Sequence, residues 1–392
     1  MGGAVSVLNA VRESLATLER PLAEARGLPA AAYVAPEIFA YEQERLFRAG
    51  WMSVAFSHDV PNAGDAMPVT VAGAEILVVR GSDGCVRGFS NVCRHRGSIV
   101  IDAPASGAKA LTCPYHGWTY ALDGRLLLAP MWQGPGGGKL GSLDADAEAL
   151  TPIACGEWED IIFVNVDGRA PPLADYVAPL ARRWETLDLL GSRRPFAHRD
   201  RVIPANWKVV LEGFLEVYHE ACLHRSLTYR VDAQGRPTWV DVLQDDVMGF
   251  TGLLPASAEK AVASPLARLP GMPPAGAVPN DIFLLFPATA INVLEDHVVR
   301  TIWTPVSATE TRWRSAWYFA SDAQASEDVH RACTEIVDFW LEIRGEDLSA
   351  IRRVQRGLSS AGASAQAMKF SPFWEESVRH FQRHIARRLS AA

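Results

Sequence analysis

Two pairs of cysteine and histidine constrain this chain more than any other feature of its sequence. Cys93 and His95 form the first pair, and Cys113 and His116 follow after seventeen residues. Each pair comes just beyond a run of residues typical of a β-strand, so a loop can point both side chains at one spot. Two thiolates and two imidazoles can bind zinc, or a [2Fe–2S] cluster with both cysteines on one iron and both histidines on the other. The local fold must therefore bring two loops together around a metal centre.

Three details of these loops favour the cluster over zinc. The second residue of each pair is histidine, whereas zinc sites commonly combine a pair of cysteines with a pair of histidines. Gly97 and Gly117 follow the histidines, and glycine lets backbone N–H groups approach cluster sulfurs closely. Pro114 stiffens the second loop. Zinc stays the alternative for these residues.

The sequence around the two pairs predicts a small all-β domain. Short runs of β-type residues are separated by hairpin signals at Ala72-Gly73, Asp83-Gly84 and Asp123-Gly124. The apolar run at residues 161–166 ends this pattern. We therefore assign residues 45–166 to one β-rich domain.

The later part of the chain predicts an α+β domain. Strand-like runs between residues 282 and 319 are joined by short turns, which indicates an antiparallel sheet. Amphipathic helical patterns follow at residues 326–344 and 374–389. A stretch rich in proline, alanine and serine at residues 255–279 predicts a loop that covers a site. Residues 167–392 are thus predicted to form an antiparallel sheet flanked by helices.

The first 44 residues complete the predicted organisation. Residues 5–20 have the apolar spacing of an amphipathic helix, and a second helix is predicted to start near Pro36. We expect these N-terminal helices to pack on the domain of residues 167–392.

The composition excludes several classes of protein. With 392 residues the chain is too long for one ordinary core, and its net charge of −7 argues against a nucleic-acid partner. Arg12 and Glu13 interrupt the N-terminal apolar pattern, and no run approaches the roughly 20 apolar residues of a membrane helix. No GxGxxG follows a strand, so NAD(P)H is not expected to bind this chain directly. We expect a cytoplasmic protein with no membrane partner.

A second candidate metal site lies in the stretch from Asn206 to His224. It carries Glu216, His219 and His224 within nine residues. On an ideal helix two residues five apart point about 140° away from each other. The two histidines can therefore share a metal only if the helix bends or ends between them. Taken alone, they favour two unrelated histidines on a helix surface.

The wider context of both sites resembles one known family. The segments CRHRG and CPYHGW resemble the Rieske iron–sulfur proteins, and NWK with EGFLEVYHEACLH resembles the mononuclear-iron motif of Rieske oxygenase large subunits. Neither loop carries the extra cysteine of respiratory-chain Rieske proteins, so the resemblance is to the oxygenase branch. It implies a Rieske [2Fe–2S] domain followed by a catalytic domain with mononuclear Fe(II). It also implies electrons from NAD(P)H, delivered by a separate reductase or ferredoxin.

The resemblance further implies roles for single residues. His219 and His224 would bind the iron together with one carboxylate from far downstream, leaving open positions for O2. We choose Asp347 for that carboxylate, because the Glu-Asp pair before a helix ending in QRG resembles the family's third-ligand segment. Glu346 is the alternative. Cys93, His95, Cys113 and His116 would hold the cluster.

Glu216 matches a position at which the family carries an acid, usually aspartate. By resemblance it would link the cluster ligand His116 of one subunit to His219 of the next. Such a link requires a ring-shaped homo-oligomer, and we expect a homotrimer. Glutamate in place of aspartate is shared with some members that oxidise quaternary ammonium compounds. Gly213, where ring-dihydroxylating relatives often have asparagine, is a further departure.

We therefore predict the terminal oxygenase component of a Rieske non-haem iron oxygenase system. Its predicted reaction uses O2 to hydroxylate an aromatic or other small organic substrate. An alternative is a monooxygenase or N-demethylase of a quaternary ammonium compound, which would need an aromatic cage. Candidate cage residues are Trp303, Trp313, Trp317, Tyr318 and Phe319. The alternatives from another class are a Rieske electron carrier and a zinc-stabilised binding module, although a carrier would not need the long segment after the Rieske domain.

Overall fold

The computed structural model describes residues 2–189, 194–224, 239–244, 246–252, 265–272, 280–360 and 368–390, with side chains from residue 8 onward. The chain divides into two compact units. One comprises Gln43–Tyr176, and the other comprises Met1–Glu42 with Val177–Ala392. The domain limits inferred from the sequence, after residues 44 and 166, stay a prediction.

The unit Gln43–Tyr176 is built almost entirely of β-strands, in agreement with the predicted all-β domain. Six of them form an antiparallel sheet in the order β1-β9-β8-β4-β3-β2. These strands are β1 (Met52–Phe56), β2 (Ala66–Val71), β3 (Ala74–Arg80), β4 (Val86–Ser90), β8 (Pro152–Trp158) and β9 (Ile161–Asn165). A second sheet of three short strands contains β5 (Leu111–Thr112), β6 (Thr119–Tyr120) and β7 (Leu126–Leu128). Gln43–Phe47 is a π-helical turn and Ser57–Asp59 a 3-10 turn.

The hairpins of this unit lie where glycine permits them. Ala72 and Gly73, with φ of 48° and 73°, join β2 to β3, and Gly84, with φ of 81°, lies between β3 and β4. Gly124 has φ of 89°, and a Cβ atom there would lie 2.6 Å from the ring of Phe89. Only glycine suits this turn, because both the conformation and the space exclude a side chain. Phe89 belongs to the buried core that also contains Cys93 and Cys113 of the two Cys–His loops.

The other unit is α+β. Its seven-stranded antiparallel sheet has the order β10-β16-β15-β14-β13-β12-β11. The strands are β10 (Ala197–Ile203), β11 (Trp239–Gln244), β12 (Val247–Gly252), β13 (Asn280–Leu285), β14 (Thr289–Val293), β15 (His297–Ser307) and β16 (Glu310–Phe319). The helices are α1 (Gly2–Leu18), α2 (Pro36–Glu42), α3 (Leu173–Arg183, which begins in the first unit), α4 (Trp207–Phe214), α5 (Glu220–Leu223), α6 (Glu327–Leu358) and α7 (Glu376–Ser390), with a 3-10 turn at Ala30–Tyr33. Helix α4 contacts β15, β16 and α6, whereas α7 contacts α1, β11 and β12.

The start of α4 is fixed by a buried polar network. The Asn206 side chain accepts a hydrogen bond from the Lys208 amide at 2.9 Å and so caps the helix. Lys208 and Glu42 are almost fully buried and form an ion pair at 2.6 Å, to which the Trp207 indole adds a hydrogen bond at 2.9 Å. A buried charge without its partner would cost several kcal/mol or so, so this network holds α4 in one place. The carboxylate in the network comes from α2, near the N-terminus.

The predicted cover loop at residues 255–279 lies largely outside the described residues, which include only 265–272 of it. No helix in the described parts of the chain combines the length and the apolar character that crossing a membrane requires.

Candidate metal centres

The two Cys–His loops have the same backbone pattern. In each, the glycine after the histidine donates its amide to the carbonyl of the cysteine, at 3.0 Å for Gly97 and Cys93 and at 3.1 Å for Gly117 and Cys113. Both glycines have positive φ, 73° and 70°. Each loop therefore closes as a tight turn that presents a cysteine and a histidine from the same side.

The four predicted cluster ligands lie close together in the unit Gln43–Tyr176. Cys93 and Cys113 are buried, His95 is half-buried and His116 is exposed. The two imidazole rings are 4.6 Å apart, and Trp118 stacks on His95 at 5.0 Å. The Nδ1 atom of His95 is buried and has no hydrogen-bond partner among the described residues. An orphaned ring nitrogen in this position fits a metal ligand.

The spacing of these donor atoms disfavours a single zinc ion. Zinc with cysteine and histidine ligands would bring its donor atoms to within about 4 Å of one another. Among the described residues, the one set of three or more such atoms within 4.8 Å is a different one, in the other unit. Burial raises the pKa of the Cys93 thiol, the neighbouring Cys113 adds to this, and the Tyr120 hydroxyl at 3.2 Å acts against it. Two buried thiolates need nearby positive charge, which a two-iron cluster supplies.

The stretch that carries the second pair of histidines is not one continuous helix. Helix α4 ends at Phe214, and the chain then turns before the single helical turn of α5. The helical pattern that the sequence shows over residues 209–224 therefore does not form one helix. The Glu216 carboxylate accepts hydrogen bonds from the Tyr218 and His219 amides, at 3.1 Å for the latter, and this starts a new turn. His219 and His224 flank α5, and their rings lie 5.0 Å apart.

His219, His224 and Asp347 come together, and their ligand atoms lie within 4.8 Å of one another. The Nε2 atoms of His219 and His224 are 3.4 Å and 2.9 Å from Oδ1 of Asp347. His224 is only 2% exposed, whereas the other two side chains are about one-fifth exposed. Two imidazoles and one carboxylate on one side of a point match the three facial ligands of a non-haem iron site and leave other positions open.

Two further carboxylates orient the imidazoles from behind. Nδ1 of His219 donates to Glu216, and Nδ1 of His224 donates to Glu346 at 2.7 Å. With its Nδ1–H engaged, each ring directs Nε2 towards Asp347. The structure therefore places Glu346, the alternative ligand, on the far side of His224 from the converging atoms.

The electrostatics of this site favour a cation. Burial alone would lower the pKa of His219, but its hydrogen bonds with Asp347 and Glu216 raise it to about 10. The pKa of Asp347 is lowered well below its usual range, since the hydrogen bonds with His219 and His224 outweigh the effect of burial. Positive charge is thus stabilised where the ligand atoms converge.

A cavity adjoins Asp347. Its walls come from α4, α6 and three strands of the sheet, and they are mostly apolar. The lining residues are Ile203, Val210, Gly213, Phe214, Trp303, Trp313, Arg344, Asp347, Leu348 and Ile351. A mostly apolar lining with a few polar groups is typical of a small-molecule site.

Two of the five candidate cage residues line this cavity. Trp303 and Trp313 do, whereas Trp317, Tyr318 and Phe319 are buried in β16 and are not among its lining residues. A strand alternates its side chains between two faces, so one run of aromatic residues cannot line one pocket.

Among the cavity residues that sequence reasoning missed, one is aromatic and one is charged. Phe214 ends α4 and lines the cavity beside Gly213. Arg344 lies three residues before Asp347 on α6, hence on nearly the same helical face. The spacing from Asp347 was the available signal for Arg344.

Comparison with known proteins identifies the family. Residues 182–391 match the ring hydroxylating alpha subunit (catalytic domain), and residues 50–135 match the Rieske [2Fe–2S] domain. The carnitine monooxygenase oxygenase subunit of Acinetobacter pittii is 27% identical over 368 residues, which cover 91% of this chain and 93% of that protein. The glycine betaine monooxygenase oxygenase subunit of Chromohalobacter salexigens is 34% identical over 212 residues, 54% of this chain and 46% of that protein.

The fold is shared with solved structures. A quaternary ammonium Rieske monooxygenase in complex with L-carnitine aligns with a TM-score of 0.76 at 24% identity, over 95% of this chain and 98% of that chain. Naphthalene 1,2-dioxygenase from Rhodococcus sp. aligns with a TM-score of 0.77 at 19% identity, over 97% and 98%. At these identities the likeness shows the fold. The family matches show more: the chain belongs to the ring-hydroxylating alpha subunits and is the oxygenase component of a Rieske non-haem iron system, with a [2Fe–2S] cluster, a mononuclear iron and electrons from a separate reductase.

Proposed function

We propose that this oxygenase is a monooxygenase of a quaternary ammonium compound. One observation carries the proposal: the cavity beside Asp347 has aromatic walls from Phe214, Trp303 and Trp313. Aromatic faces attract quaternary ammonium groups through cation–π interactions. The relatives that oxidise carnitine and glycine betaine support the same substrate class. Glu216 supports it as well, since glutamate at this position is shared with oxygenases of such compounds.

We also propose which residues hold the metals. When bound, the mononuclear iron supplies the activation of O2, and the cluster supplies electrons to it. The proposed cluster ligands are Cys93, His95, Cys113 and His116, and the proposed iron ligands are His219, His224 and Asp347. The support is the shared position of the four loop residues and the convergence of the three ligand atoms described above.

The chain's own residues then select and orient the substrate. The aromatic walls hold the ammonium group, and the cavity's contact with Asp347 brings a carbon next to nitrogen beside the ligand set. Insertion of one oxygen atom into a C–H bond at that carbon consumes O2, two electrons and two protons and releases water. The hydroxylated carbon cannot keep its bond to a nitrogen that already has four bonds. The C–N bond therefore breaks, and the products are a tertiary amine, a carbonyl compound and a proton.

We propose that Glu216 couples the two centres between subunits of a homotrimer. Its carboxylate already holds Nδ1 of His219, and the exposed His116 imidazole is free to meet such a carboxylate in a neighbouring copy. Large apolar side chains are exposed near the cluster, with Tyr115 at 57% and Met131 at 67%. Exposed apolar groups of this kind are typical of an interface. A cytoplasmic location, where the NAD(P)H-dependent reductase would act, is part of the proposal.

The function can be tested with purified protein and a surrogate reductase. Substrate-dependent O2 uptake, with product identification by mass, should occur with glycine betaine or carnitine and not with indole or naphthalene. Asp347→Ala is the matched negative control, because it removes a proposed iron ligand. Oxygenation of the aromatic compounds alone would overturn the proposed substrate class and support ring hydroxylation.

A further inference from the structure

Arg344 brings a positive charge into the wall of the cavity. It lies on α6 three residues before Asp347, so the two residues are about 4.5 Å apart along the helix axis. An arginine keeps its charge in a protein and carries five N–H donors that match a carboxylate. An otherwise apolar cavity gains little from such a residue unless something pairs with it.

Within the described residues, the Arg344 guanidinium has no hydrogen-bond acceptor and no carboxylate within ion-pair distance. The guanidinium makes a cation–π contact with the Phe214 ring, whose centroid lies 5.7 Å from Cζ. Burial lowers the pKa of Arg344, and the more distant Asp347 only partly offsets this. Among the described residues, this partly buried guanidinium therefore has no anionic partner nearer than Asp347.

A second polar group beside the cavity is also unsatisfied. Trp313 is 3% exposed, and its indole Nε1–H is buried without a hydrogen-bond partner among the described residues. Buried donors without acceptors are rare in folded proteins and often mark a binding site. One cavity thus contains a guanidinium and borders an indole N–H, both of them donors without acceptors.

The charge inside the cavity also excludes some ligands. Asp347 is committed to the two histidines and to the proposed iron, so it cannot neutralise Arg344 fully. A ligand with only a positive charge would meet an uncompensated guanidinium. A ligand that also carries a carboxylate would pair with it, and the indole rings of Trp303 and Trp313 would remain available for its ammonium group.

We propose that Arg344 binds a carboxylate of the substrate, and that the substrate is therefore a short zwitterion with a quaternary ammonium group and a carboxylate. This rests on the proposed function and narrows its substrate class. Because Arg344 and Asp347 are one helical turn apart, only a few bonds separate the carboxylate from the carbon that reacts. Arg344 is thus a substrate-binding residue that determines specificity.

Four small ligands test the contributions of the ammonium group and the carboxylate separately. Glycine betaine carries both, choline keeps the ammonium and replaces the carboxylate by an alcohol, and tert-butylacetate keeps the carboxylate and replaces the ammonium by carbon. The neutral alcohol with a tert-butyl group lacks both charges. Titration calorimetry with the metal-loaded oxygenase, without reductase, measures their dissociation constants in the absence of turnover.

Arg344→Gln should raise the dissociation constants of glycine betaine and tert-butylacetate by about 10- to 100-fold, which is the contribution of a charge-assisted hydrogen bond. Choline should bind more tightly, because Arg344→Gln removes a like charge from the cavity, and the dissociation constant of the neutral alcohol should change by less than about threefold. Arg344→Lys should retain part of the carboxylate binding, because it keeps the charge and loses the paired donors. Arg353→Gln, an exposed arginine on the same helix, is the matched control and should bind all probes like the wild type.

The outcomes separate this inference from the proposed function. If Arg344→Gln weakens all four probes equally, or if no probe binds the wild type, the role of Arg344 is refuted. If glycine betaine is oxidised but Arg344→Gln still prefers ligands with a carboxylate, the proposed function stands and the proposed role of Arg344 does not. If tert-butylacetate binds as tightly as glycine betaine and loses affinity in Arg344→Gln, Arg344 has the stated role and the quaternary ammonium requirement fails. Iron and sulfide content should stay unchanged in every Arg344 variant.

Discussion

The two metal centres are built in different ways. The cluster site consists of two equivalent loops, Cys93–Gly97 and Cys113–Gly117, each closed by its own glycine amide. The proposed iron site combines the histidines that flank α5 with Asp347 of α6, and His224 and Asp347 are more than a hundred residues apart in sequence. Local turns can thus prepare a cluster site, whereas the three iron ligands meet only when the whole α+β unit has folded.

The two sites also treat their imidazoles differently. At the cluster loops His116 is exposed, and Nδ1 of His95 has no partner among the described residues. At the iron site both Nδ1 atoms are held by carboxylates, Glu216 and Glu346. The histidines of the proposed iron site are therefore oriented by carboxylates, whereas His95 and His116 at the cluster loops pack against the rings of Trp118 and Tyr115.

The largest expected effect comes from removing a converging ligand. Asp347→Ala should reduce the mononuclear iron from one per chain to near zero and abolish product formation, because two imidazoles alone hold Fe(II) weakly. The visible Rieske spectrum should stay unchanged, since its proposed ligands belong to the other unit. Iron analysis together with absorption spectroscopy measures both effects.

Two variants sharpen this result. Asp338→Ala removes an exposed acid from the same helix and should keep full iron and activity. His95→Cys should lower the cluster potential from the Rieske range, roughly −150 to +300 mV, or lose the cluster, and keep the mononuclear iron. Retention of iron in Asp347→Ala but not in Glu346→Ala would reverse our choice of ligand.

The next effect concerns Glu216. Glu216→Gln keeps the size of the side chain and loses its charge, so both metals should stay bound and the reductase should still reduce the cluster. Reoxidation of a pre-reduced cluster with substrate and O2 should slow by about 10- to 100-fold or more. Single-turnover absorption measurements follow this step.

Glu346→Gln is the matched comparison for Glu216→Gln. Glu346 also holds the Nδ1 atom of an iron-site histidine, but we assign it no role between subunits. Equal slowing of reoxidation in both variants would show that Glu216 only orients His219. Loss of mononuclear iron in Glu216→Gln would make Glu216 a ligand.

The smallest expected effect is on stability. Burial raises the pKa of Glu212 to about 7, although hydrogen bonds from Tyr33 at 2.6 Å and Gln382 at 3.0 Å act in the opposite direction. The folded protein therefore binds this proton more tightly than the unfolded chain, and stability falls as pH rises from about 4.5 to 7. Glu212→Gln should remove this loss. It should raise the free energy of unfolding by about 1–3 kcal/mol at pH 8 and leave it unchanged at pH 4.

Thermal unfolding at several pH values measures the effect of Glu212→Gln. Glu37→Gln, which changes an exposed acid on α2, should leave the pH dependence unchanged. A gain in stability that is equal at pH 4 and pH 8 would contradict the assignment to Glu212.

The difference between the two centres also explains what the sequence could predict. Residue order alone indicated Cys93, His95, Cys113 and His116, because each pair is local and its turn chemistry is visible. The hairpins at Gly73 and Gly84 were predicted for the same reason and are confirmed. The fold class is confirmed too, as an all-β domain and an α+β domain.

Other features depended on contacts that no local pattern reveals. The edge strands β10 and β11 were missed, because their exposed side chains lack an apolar alternation. The end of α4 at Phe214 was missed, because an apolar periodicity continues while the Glu216 carboxylate captures the backbone amides beyond it. Arg344 was missed, because its importance depends on a cavity formed by distant strands.

Helix α6 fixes the distances between three functional positions of this oxygenase. Arg344, Glu346 and Asp347 lie on one rigid stretch of backbone, so the positions for substrate, imidazole and metal cannot be adjusted separately. A shift of the helix by one residue would misplace all three at once. A new substrate must therefore be accommodated by the opposite walls, such as Trp303 and Gly213. Among the described residues, a Cβ atom at Gly213 would meet Ile351 at 4.0 Å and nothing closer. Variation that alters substrate choice is expected to accumulate on those walls, while the helix keeps its register.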